Sequence, residues 1–244
     1  MKLASLESGC EGRLFVVSDD MGWCVSAAEI APTLQAALAD WAHCAPLLKG
    51  VATYLNTGAQ RYRRFEPSGS ASPLAQSPDL SKSRGDLEAQ DGVVDVRRSA
   101  AVLVGALNQG AGRAEAVAAI RLVLLQAASG AGVAESPVAV TPDSLGEAWR
   151  EGRLSGQPTL ELDGHLVAGA PLALDFAAAI VEAARSGPLA DGAKISLSET
   201  KATRLSAVND GAVLRYELRD SLSRSTFGAV ELRAKVAATV KELA

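Results

Sequence analysis

Aromatic residues and histidines are scarce in this chain of 244 residues, which has three tryptophans, three tyrosines, four phenylalanines and two histidines. Its three cysteines, Cys10, Cys24 and Cys44, match no zinc or disulfide spacing, and we predict that they are reduced thiols. Positive charge is not in excess, because 24 Lys and Arg against 28 Asp and Glu give a net charge of −4. This balance argues against a nucleic-acid partner, whose phosphates require concentrated positive charge.

Long apolar runs are also missing. The longest, from Ala100 to Leu107, is far shorter than the roughly 20 residues that a membrane-spanning helix needs. The first residues lack the apolar stretch of a signal peptide. We therefore predict a cytoplasmic protein with no membrane attachment.

The remaining composition is that of a folded protein with a real core, since 48% of the residues are hydrophobic and 21% are charged. Three short apolar segments and two amphipathic stretches predict a small α/β appendage over residues 1–62. Residues 63–92 are rich in Ser, Pro and Gly and predict a flexible linker. Residues 93–244 form the third predicted unit.

The third unit reads mostly as strands with short helices between them. An Asp163-Gly164 pair between two apolar segments predicts a β-hairpin, and Asp175 predicts the cap of a helix. Near the end, Leu232, Val236, Val240 and Leu243 have a near-helical spacing that predicts an amphipathic helix. The fold class is therefore α+β and mostly β.

Short motifs occur along the chain in an order that is informative. They are Met1–Leu6, Gly12–Leu14 with Val16–Ser18, Ile30–Leu38, Ile120–Val123, Ser136–Asp143, Asp175–Phe176, Pro188–Leu189 with Gly192, and Arg224–Ala229. Each motif is weak alone, but their shared order resembles the fumarylacetoacetate hydrolase family. The resemblance covers most of the chain, except residues 63–92 and about the last dozen.

The resemblance implies a distorted β-roll that is usually dimeric and acts on small oxo-acids. In that family a divalent cation such as Mg²⁺ or Mn²⁺, held by carboxylates, polarises the substrate carbonyl and enolate. A segment with a histidine activates water. The resemblance therefore implies metal-binding carboxylates and a histidine at defined positions of this chain.

The chain departs from the family at the positions that carry this chemistry. The two metal carboxylates of the family's Asp-aromatic-Glu-x-Glu strand align with Arg97 and Ser99, and a later metal carboxylate aligns with Ala127 of the pair Gln126-Ala127. The histidine segment aligns with the linker, which contains no histidine, and the Gly-Ser-Gly-Thr substrate turn aligns with residues 196–199. We therefore predict no bound metal and no cofactor.

Four residues remain as candidates for a substrate pocket. Arg97 either points into the former cavity and binds a carboxylate or pairs with a nearby acid, Asp95 or Glu199. Ser99, Gln126 and Glu199 are candidates by the same alignment. The only histidines, His43 and His165, are predicted to be surface or structural residues, and no catalytic residue is assigned.

Two classes of function are consistent with these residues. The first is a metal-independent isomerisation, decarboxylation or cyclisation of a small, partly apolar molecule in the former active-site cavity. The alternative is a non-catalytic pseudoenzyme that binds or stabilises an active paralogue. The expected assembly is a homodimer in the first case and a heterodimer with the paralogue in the second.

Overall fold

The computed structural model of the chain describes residues 1–6, 12–58, 63–66, 70–71, 84–130, 132–168 and 170–237. Several sequence predictions concern residues outside these ranges. They are the thiol of Cys10, positions Val240 and Leu243 of the predicted C-terminal helix, and residues 67–69 and 72–83 of the predicted linker.

The N-terminal part consists of three strands, two helices and two short strands. They are β1 (Lys2–Leu6), β2 (Arg13–Val17), β3 (Trp23–Ser26), α1 (Leu34–Ala39), α2 (Trp41–Asn56), β4 (Arg63–Arg64) and β5 (Ser70–Ala71). Thr33 caps α1 by accepting a hydrogen bond from the Ala36 amide at 3.1 Å. Pro46 lies inside α2. None of the described helices is long and apolar enough to cross a membrane.

The rest of the chain alternates short strands with two helices. The elements are β6 (Arg84–Gln90), β7 (Val94–Val104), α3 (Arg113–Ala119), β8 (Ile120–Ser129), β9 (Gly132–Glu135), β10 (Ala139–Val140), β11 (Trp149–Arg150), β12 (Arg153–Gly156), β13 (Thr159–Leu162), β14 (His165–Ala168), β15 (Leu172–Asp175), α4 (Phe176–Ser186), β16 (Ala193–Ser198), β17 (Thr203–Leu205), β18 (Val213–Glu217) and β19 (Val230–Ala237). Two turns of 3₁₀ helix, Pro142–Ser144 and Gly146–Ala148, lie between β10 and β11.

The described strands form three sheets. The largest has eleven strands, with the order β16-β7-β8-β10-β1-β2-β3-β4, and β17, β5 and β9 pair with β7, β1 and β8. The second has the order β14-β13-β18-β19-β6, and the third is β11-β12-β15. Lys2 of β1 lies opposite Val140 of β10. The strands of the N-terminal part therefore extend the sheet that the later strands begin.

Strand β7 is buried on both faces because it separates two hydrophobic cores. Val102 belongs to the core that also contains Leu214 of the second sheet. Leu103, the next residue, belongs to the core that also contains Leu48 of α2. A strand covered on both sides has a nearly continuous apolar sequence, and the apolar run that begins at Ala100 is of this kind.

Two local predictions are confirmed. Asp163 and Gly164 have positive φ angles of 48° and 81° in the turn that joins β13 to β14. Asp175 caps α4, since its Oδ1 atom accepts a hydrogen bond from the Ala178 amide at 3.0 Å. The mostly β, α+β fold class is confirmed as well.

The predicted linker over residues 63–92 is wrong for residues 84–90. These residues form β6, which pairs in parallel with β19 from Arg84 opposite Glu231 to Gln90 opposite Ala237. Leu87 and Ala89 are buried at a spacing of two residues, as a strand requires. The alternation of Leu87 and Ala89 is short, and the polar composition of the whole segment outweighs it in a sequence-based prediction. The backbone hydrogen bonds of β6 come from β19, which is distant in the sequence.

The predicted C-terminal helix is wrong as far as Ala237. Residues 230–237 form β19, with Leu232 and Ala234 buried on one face. Glu231 and Lys235 form ion pairs to neighbouring strands: Glu231 pairs with Arg215, and Lys235 contacts Asp86 at 2.6 Å. A spacing of four residues fits both a helix and a strand, so the pairing partner decides between them.

Candidate functional site

Strand β7 carries Arg97 and Ser99, the two positions that align with metal carboxylates of the family. Side chains alternate between the faces of a strand, so Arg97 and Ser99 share one face and Arg98 lies on the other. Arg97 is exposed and forms no ion pair with another described residue, including its two predicted partners. Glu199, one of those partners, pairs with Arg98 instead.

Ser99, Gln126 and Glu135 form a polar row across the neighbouring strands β7, β8 and β9, and all three residues are buried. Ser99 Oγ donates to the Gln126 carbonyl oxygen at 3.1 Å, and Gln126 Nε2 donates to Glu135 Oε1 at 2.7 Å. Lys194 of β16 donates to the same Glu135 oxygen at 2.8 Å. The row satisfies its own polar groups, as buried side chains require.

Arg98 is the buried centre of a three-way contact on the opposite face of β7. Its Nε and Nη2 atoms donate to the two carboxylate oxygens of Glu199, each at 2.7 Å. Its Nη1 atom donates to the Ala170 carbonyl oxygen at 2.6 Å. This two-point contact between a guanidinium and a carboxylate is the geometry that gives the strongest ion pairs.

A cleft of about 650 Å³ opens beside the Arg98–Glu199 pair. Its polar wall is the turn between β16 and β17, and its apolar wall includes Pro171 and Leu174. Lys201 and Arg204 are exposed along the polar wall. Three cationic side chains and one acidic side chain therefore line the cleft.

The cleft lies where the resemblance places the substrate turn of the family. Ser198 and Glu199, the last two residues of the aligned segment, both line it. Of the four pocket candidates, Glu199 lies at the cleft, whereas Arg97, Ser99 and Gln126 are not part of its lining. Arg98, one position from the aligned Arg97, lines the cleft instead.

Tyr216 of β18 lies behind this ion pair. Its side chain is wholly buried, and its hydroxyl has no hydrogen-bond partner among the described residues. Burial raises the pKa of Tyr216 well above its ordinary value, and the charges of Arg98 and Glu199 act on it in opposite directions. The hydroxyl therefore keeps its proton and can donate it to a hydrogen-bond acceptor.

The side chains at the former ligand positions do not fit a divalent cation. Mg²⁺ and Mn²⁺ prefer carboxylate oxygens, whereas these positions present the guanidinium of Arg97, the hydroxyl of Ser99 and the methyl group of Ala127. The amide of the adjacent Gln126 is occupied by Glu135, the one carboxylate in the row, which also accepts from Lys194. Within the ranges that the structure describes, no group of three His, Cys, Asp or Glu side chains could hold a metal ion.

The described histidines and cysteines lie away from the cleft. His43 on α2 and His165 on β14 are exposed, as predicted. Cys24 and Cys44 are free and buried, and burial raises the pKa of both thiols. A buried thiol with a raised pKa is a poor nucleophile at neutral pH.

Sequence reasoning missed Arg98, Lys201, Arg204 and Tyr216. For Arg98 a signal was available, since alternation along a strand places Arg98 on the face opposite to Arg97, so that the two arginines have different surroundings. Tyr216 had no such signal, because it reaches Arg98 only through the packing of the second sheet against the first.

Comparisons with known proteins agree with this architecture. Residues 1–76 match the family model of the fumarylacetoacetase N-terminal domain 2, a segment that extends beyond the predicted boundary at residue 62. No curated protein matches the chain. The fold nevertheless has clear structural neighbours.

Three solved structures illustrate the likeness. Maleylpyruvate hydrolase from Sphingobium sp. SYK-6 is 15% identical with a TM-score of 0.65, over 97% of this chain and 100% of that chain. An HpcE-like protein from Mycobacterium smegmatis is 15% identical with a TM-score of 0.63, over 96% and 99%. A candidate 2-hydroxyhepta-2,4-diene-1,7-dioate isomerase from Mycobacterium abscessus is 14% identical with a TM-score of 0.62, over 98% and 99%.

These comparisons define the class of fold first: the chain has the same fold as these three solved structures. More particularly, its first 76 residues match the model of the fumarylacetoacetase N-terminal domain 2. The resemblance in the sequence is thereby confirmed for the fold and for the N-terminal segment.

Proposed function

We propose that this chain is a metal-independent member of its fold that binds and converts a small, partly apolar carboxylate in the cleft beside Arg98 and Glu199. The cationic lining of this cleft, at the turn where the family binds substrate, is the observation that carries the proposal. Apolar side chains on the opposite wall suit the rest of the molecule. The proposal requires no metal ligand.

The charge of the cleft supports a carboxylate as ligand. Neither Lys201 nor Arg204 forms an ion pair with a described acid. Asp95 lies opposite Arg204 in the pair of β17 and β7, but the two side chains form no ion pair. Two exposed cations therefore remain available to attract and hold an anion.

The same charges define the reactions that the cleft can assist. Isomerisation of an oxo-acid through its enol and decarboxylation of a 3-oxo acid both pass through a transition state with negative charge on the carbonyl oxygen, as does a cyclisation that begins with enolisation. The proton that enolisation removes from carbon passes to solvent water. Cationic groups placed near this oxygen lower the barrier because they stabilise the charge as it develops. Glu199 is held by Arg98 through both carboxylate oxygens, so in this arrangement it orients Arg98 and does not accept a proton.

Pyruvate is a suitable probe. It is a small oxo-acid, and one structural neighbour, the Sphingobium maleylpyruvate hydrolase, is known in complex with manganese(II) and pyruvate. Binding to this chain is measured by isothermal titration after treatment with EDTA. Enolisation is measured in D₂O as loss of the pyruvate methyl signal in the proton NMR spectrum.

The expected result is saturable binding that is unchanged by EDTA and weakened at least severalfold by Lys201→Gln and Arg204→Gln. Arg233→Gln is the matched control, since Arg233 is exposed on β19 and does not line the cleft. Exchange of the methyl protons above the protein-free rate supports turnover. Binding that requires added Mn²⁺, or no binding at all, contradicts the proposal.

A second candidate function is that of a non-catalytic subunit beside an active paralogue. The row of Ser99, Gln126 and Glu135 favours it, because these buried residues bond to each other and are not available to act on a substrate. Native mass spectrometry of the protein from its own source distinguishes the two functions. A complex with a second, related chain supports this candidate, whereas a homodimer with a bound small molecule supports the first.

A further inference from the structure

Arg98 has the geometry of a carboxylate-binding residue, and the carboxylate that it binds is the Glu199 side chain of the same chain. Its Nε and Nη2 atoms face the two oxygens of Glu199 in the parallel geometry that arginine also adopts toward ligand carboxylates. Its third nitrogen, Nη1, is fixed by the Ala170 carbonyl oxygen. The guanidinium is therefore held in place independently of Glu199.

Glu199 is less firmly held than Arg98. The Arg98 side chain is 6% exposed, and that of Glu199 is 19% exposed. Glu199 also follows the last residue of β16 and begins the turn that forms the polar wall of the cleft. A rotation of this one side chain toward solvent would leave the guanidinium facing the cleft.

The hydroxyl of Tyr216 is a second observation, although Tyr216 itself does not line the cleft. A buried hydroxyl without a partner costs about 1–3 kcal/mol, and such groups are rare in folded proteins. The charges of Arg98 and Glu199 both act on this hydroxyl, yet neither oxygen of Glu199 accepts a hydrogen bond from it. Among the described residues the Tyr216 hydroxyl is therefore an unused hydrogen-bond donor.

We infer that Arg98 and Tyr216 form the carboxylate subsite of the cleft and that Glu199 occupies this subsite as an internal stand-in until a ligand carboxylate displaces it. The inference rests on the proposed function, because it concerns the same cleft and the same class of ligand. It adds that ligand binding breaks one ion pair and forms another. Glu199 thereby becomes a specificity-determining residue that excludes weakly bound anions.

The decisive experiment measures pyruvate affinity by isothermal titration for the full chain and for Glu199→Gln. An internal competitor raises the apparent dissociation constant, which equals the intrinsic constant divided by the fraction of molecules in which the site is free. Removal of the competing charge is expected to tighten pyruvate binding by about tenfold or more. Glu182→Gln is the matched control, since Glu182 forms an exposed ion pair on α4, and its affinity should be unchanged.

Two further variants test the other members of the subsite in the Glu199→Gln background. Arg98→Lys removes the two-point contact and is expected to abolish the gain in affinity. Tyr216→Phe is expected to weaken binding by about tenfold or more, as loss of one hydrogen bond to a charged group does. A purely structural role of Tyr216 would leave the affinity unchanged. Circular dichroism checks the fold, and Glu199→Met, which also removes the charge and has a similar length, replaces Glu199→Gln if that variant does not fold.

The outcomes separate this inference from the proposed function. If the unmodified chain and Glu199→Gln bind pyruvate equally, and Lys201→Gln weakens both, the function stands and the inference is overturned. If Glu199→Gln binds more tightly and Tyr216→Phe reverses part of the gain, the inference is supported. If none of the proteins binds pyruvate, both are overturned.

Discussion

Glu199 and Arg98 are 101 residues apart in the chain, yet two hydrogen bonds of 2.7 Å join them. The contact ties the start of the turn after β16 to the middle of β7. Through the Ala170 carbonyl oxygen it also reaches the segment after β14. The walls of the cleft are therefore held together by one guanidinium.

The first prediction concerns the stability that this pair provides. Glu199→Ala leaves the guanidinium of Arg98 buried without its counter-charge, which typically costs about 3–5 kcal/mol in unfolding free energy. Urea denaturation measures the loss. Glu182→Ala removes an exposed ion pair on α4 and should cost less than about 1 kcal/mol. Equal losses in the two variants would show that the Arg98–Glu199 pair is no stronger than a surface contact.

The second prediction concerns the free protein and the unpartnered hydroxyl of Tyr216. Tyr216→Phe removes a buried polar group that has no partner, so the unfolding free energy is expected to be unchanged or to rise by about 1 kcal/mol. Tyr54→Phe, at an exposed position on α2, serves as the control. A loss of more than 1 kcal/mol for Tyr216→Phe would mean that the hydroxyl is bonded in the native state.

The third prediction is a pH dependence at Asp143. Partial burial would raise the pKa of this carboxyl, but hydrogen bonds from Lys49 and Thr141 outweigh burial and hold the pKa at about 2, below the ordinary 3.8. A depressed folded-state pKa stabilises the protein above pH 3.8, and the contribution is lost as pH falls toward 2.

Asp143→Asn should therefore lower the urea midpoint at pH 7, and the difference from the unmodified chain should shrink as pH falls from 4 to 2. The expected loss is less than about 1 kcal/mol, because the carboxylate is half-exposed. Asp95→Asn is the control, because Asp95 is exposed on β7 and forms no ion pair with a described residue. A difference that stays constant with pH would contradict the prediction.

The fourth prediction concerns a close approach at Gly152, in the turn before β12. Gly152 has a φ angle of +80°, and a Cβ atom there would lie 2.6 Å from the Ala177 Cβ atom. Gly110 has a φ angle of +79° with nothing within 4 Å of such an atom. Both alanine variants incur the backbone strain, but only Gly152→Ala must also displace α4.

Thermal or urea unfolding should accordingly show Gly152→Ala to be less stable than Gly110→Ala by at least about 1 kcal/mol. The comparison isolates steric contact from backbone conformation because the two φ angles nearly coincide. If both variants lose the same stability, the turn before β12 can move away from α4 without cost.

Local signals in the sequence were sufficient for elements whose structure depends on near neighbours. The turn at Asp163 and Gly164 needs only two residues that tolerate positive φ, and the cap at Asp175 needs only an amide three residues away. The nearly continuous apolar residues of β7 from Ala100 onward are likewise typical of a strand that is buried on both faces. In each case the physical cause lies within a few residues of its effect.

Elements that depend on a distant partner were assigned incorrectly. The segment around Leu87 has the composition of a linker, and the segment around Leu232 has a spacing that a helix also satisfies. Each becomes a strand because it pairs with the other, and 145 residues separate Leu87 from Leu232. No pattern among neighbouring residues indicates which distant segment a strand pairs with.

The features of the candidate site also fall into two groups, those that side-chain chemistry decides and those that the fold decides. The sequence by itself determined that the aligned metal positions hold Arg97, Ser99 and Ala127, because side-chain chemistry alone decides that these groups are poor ligands for a hard cation. Only the tertiary structure decided which side chains meet. Strand alternation turned Arg98 rather than Arg97 toward Glu199, and sheet packing brought Tyr216 beside them. A carboxylate subsite requires groups from strands far apart in the chain, so it exists only once the sheets have packed.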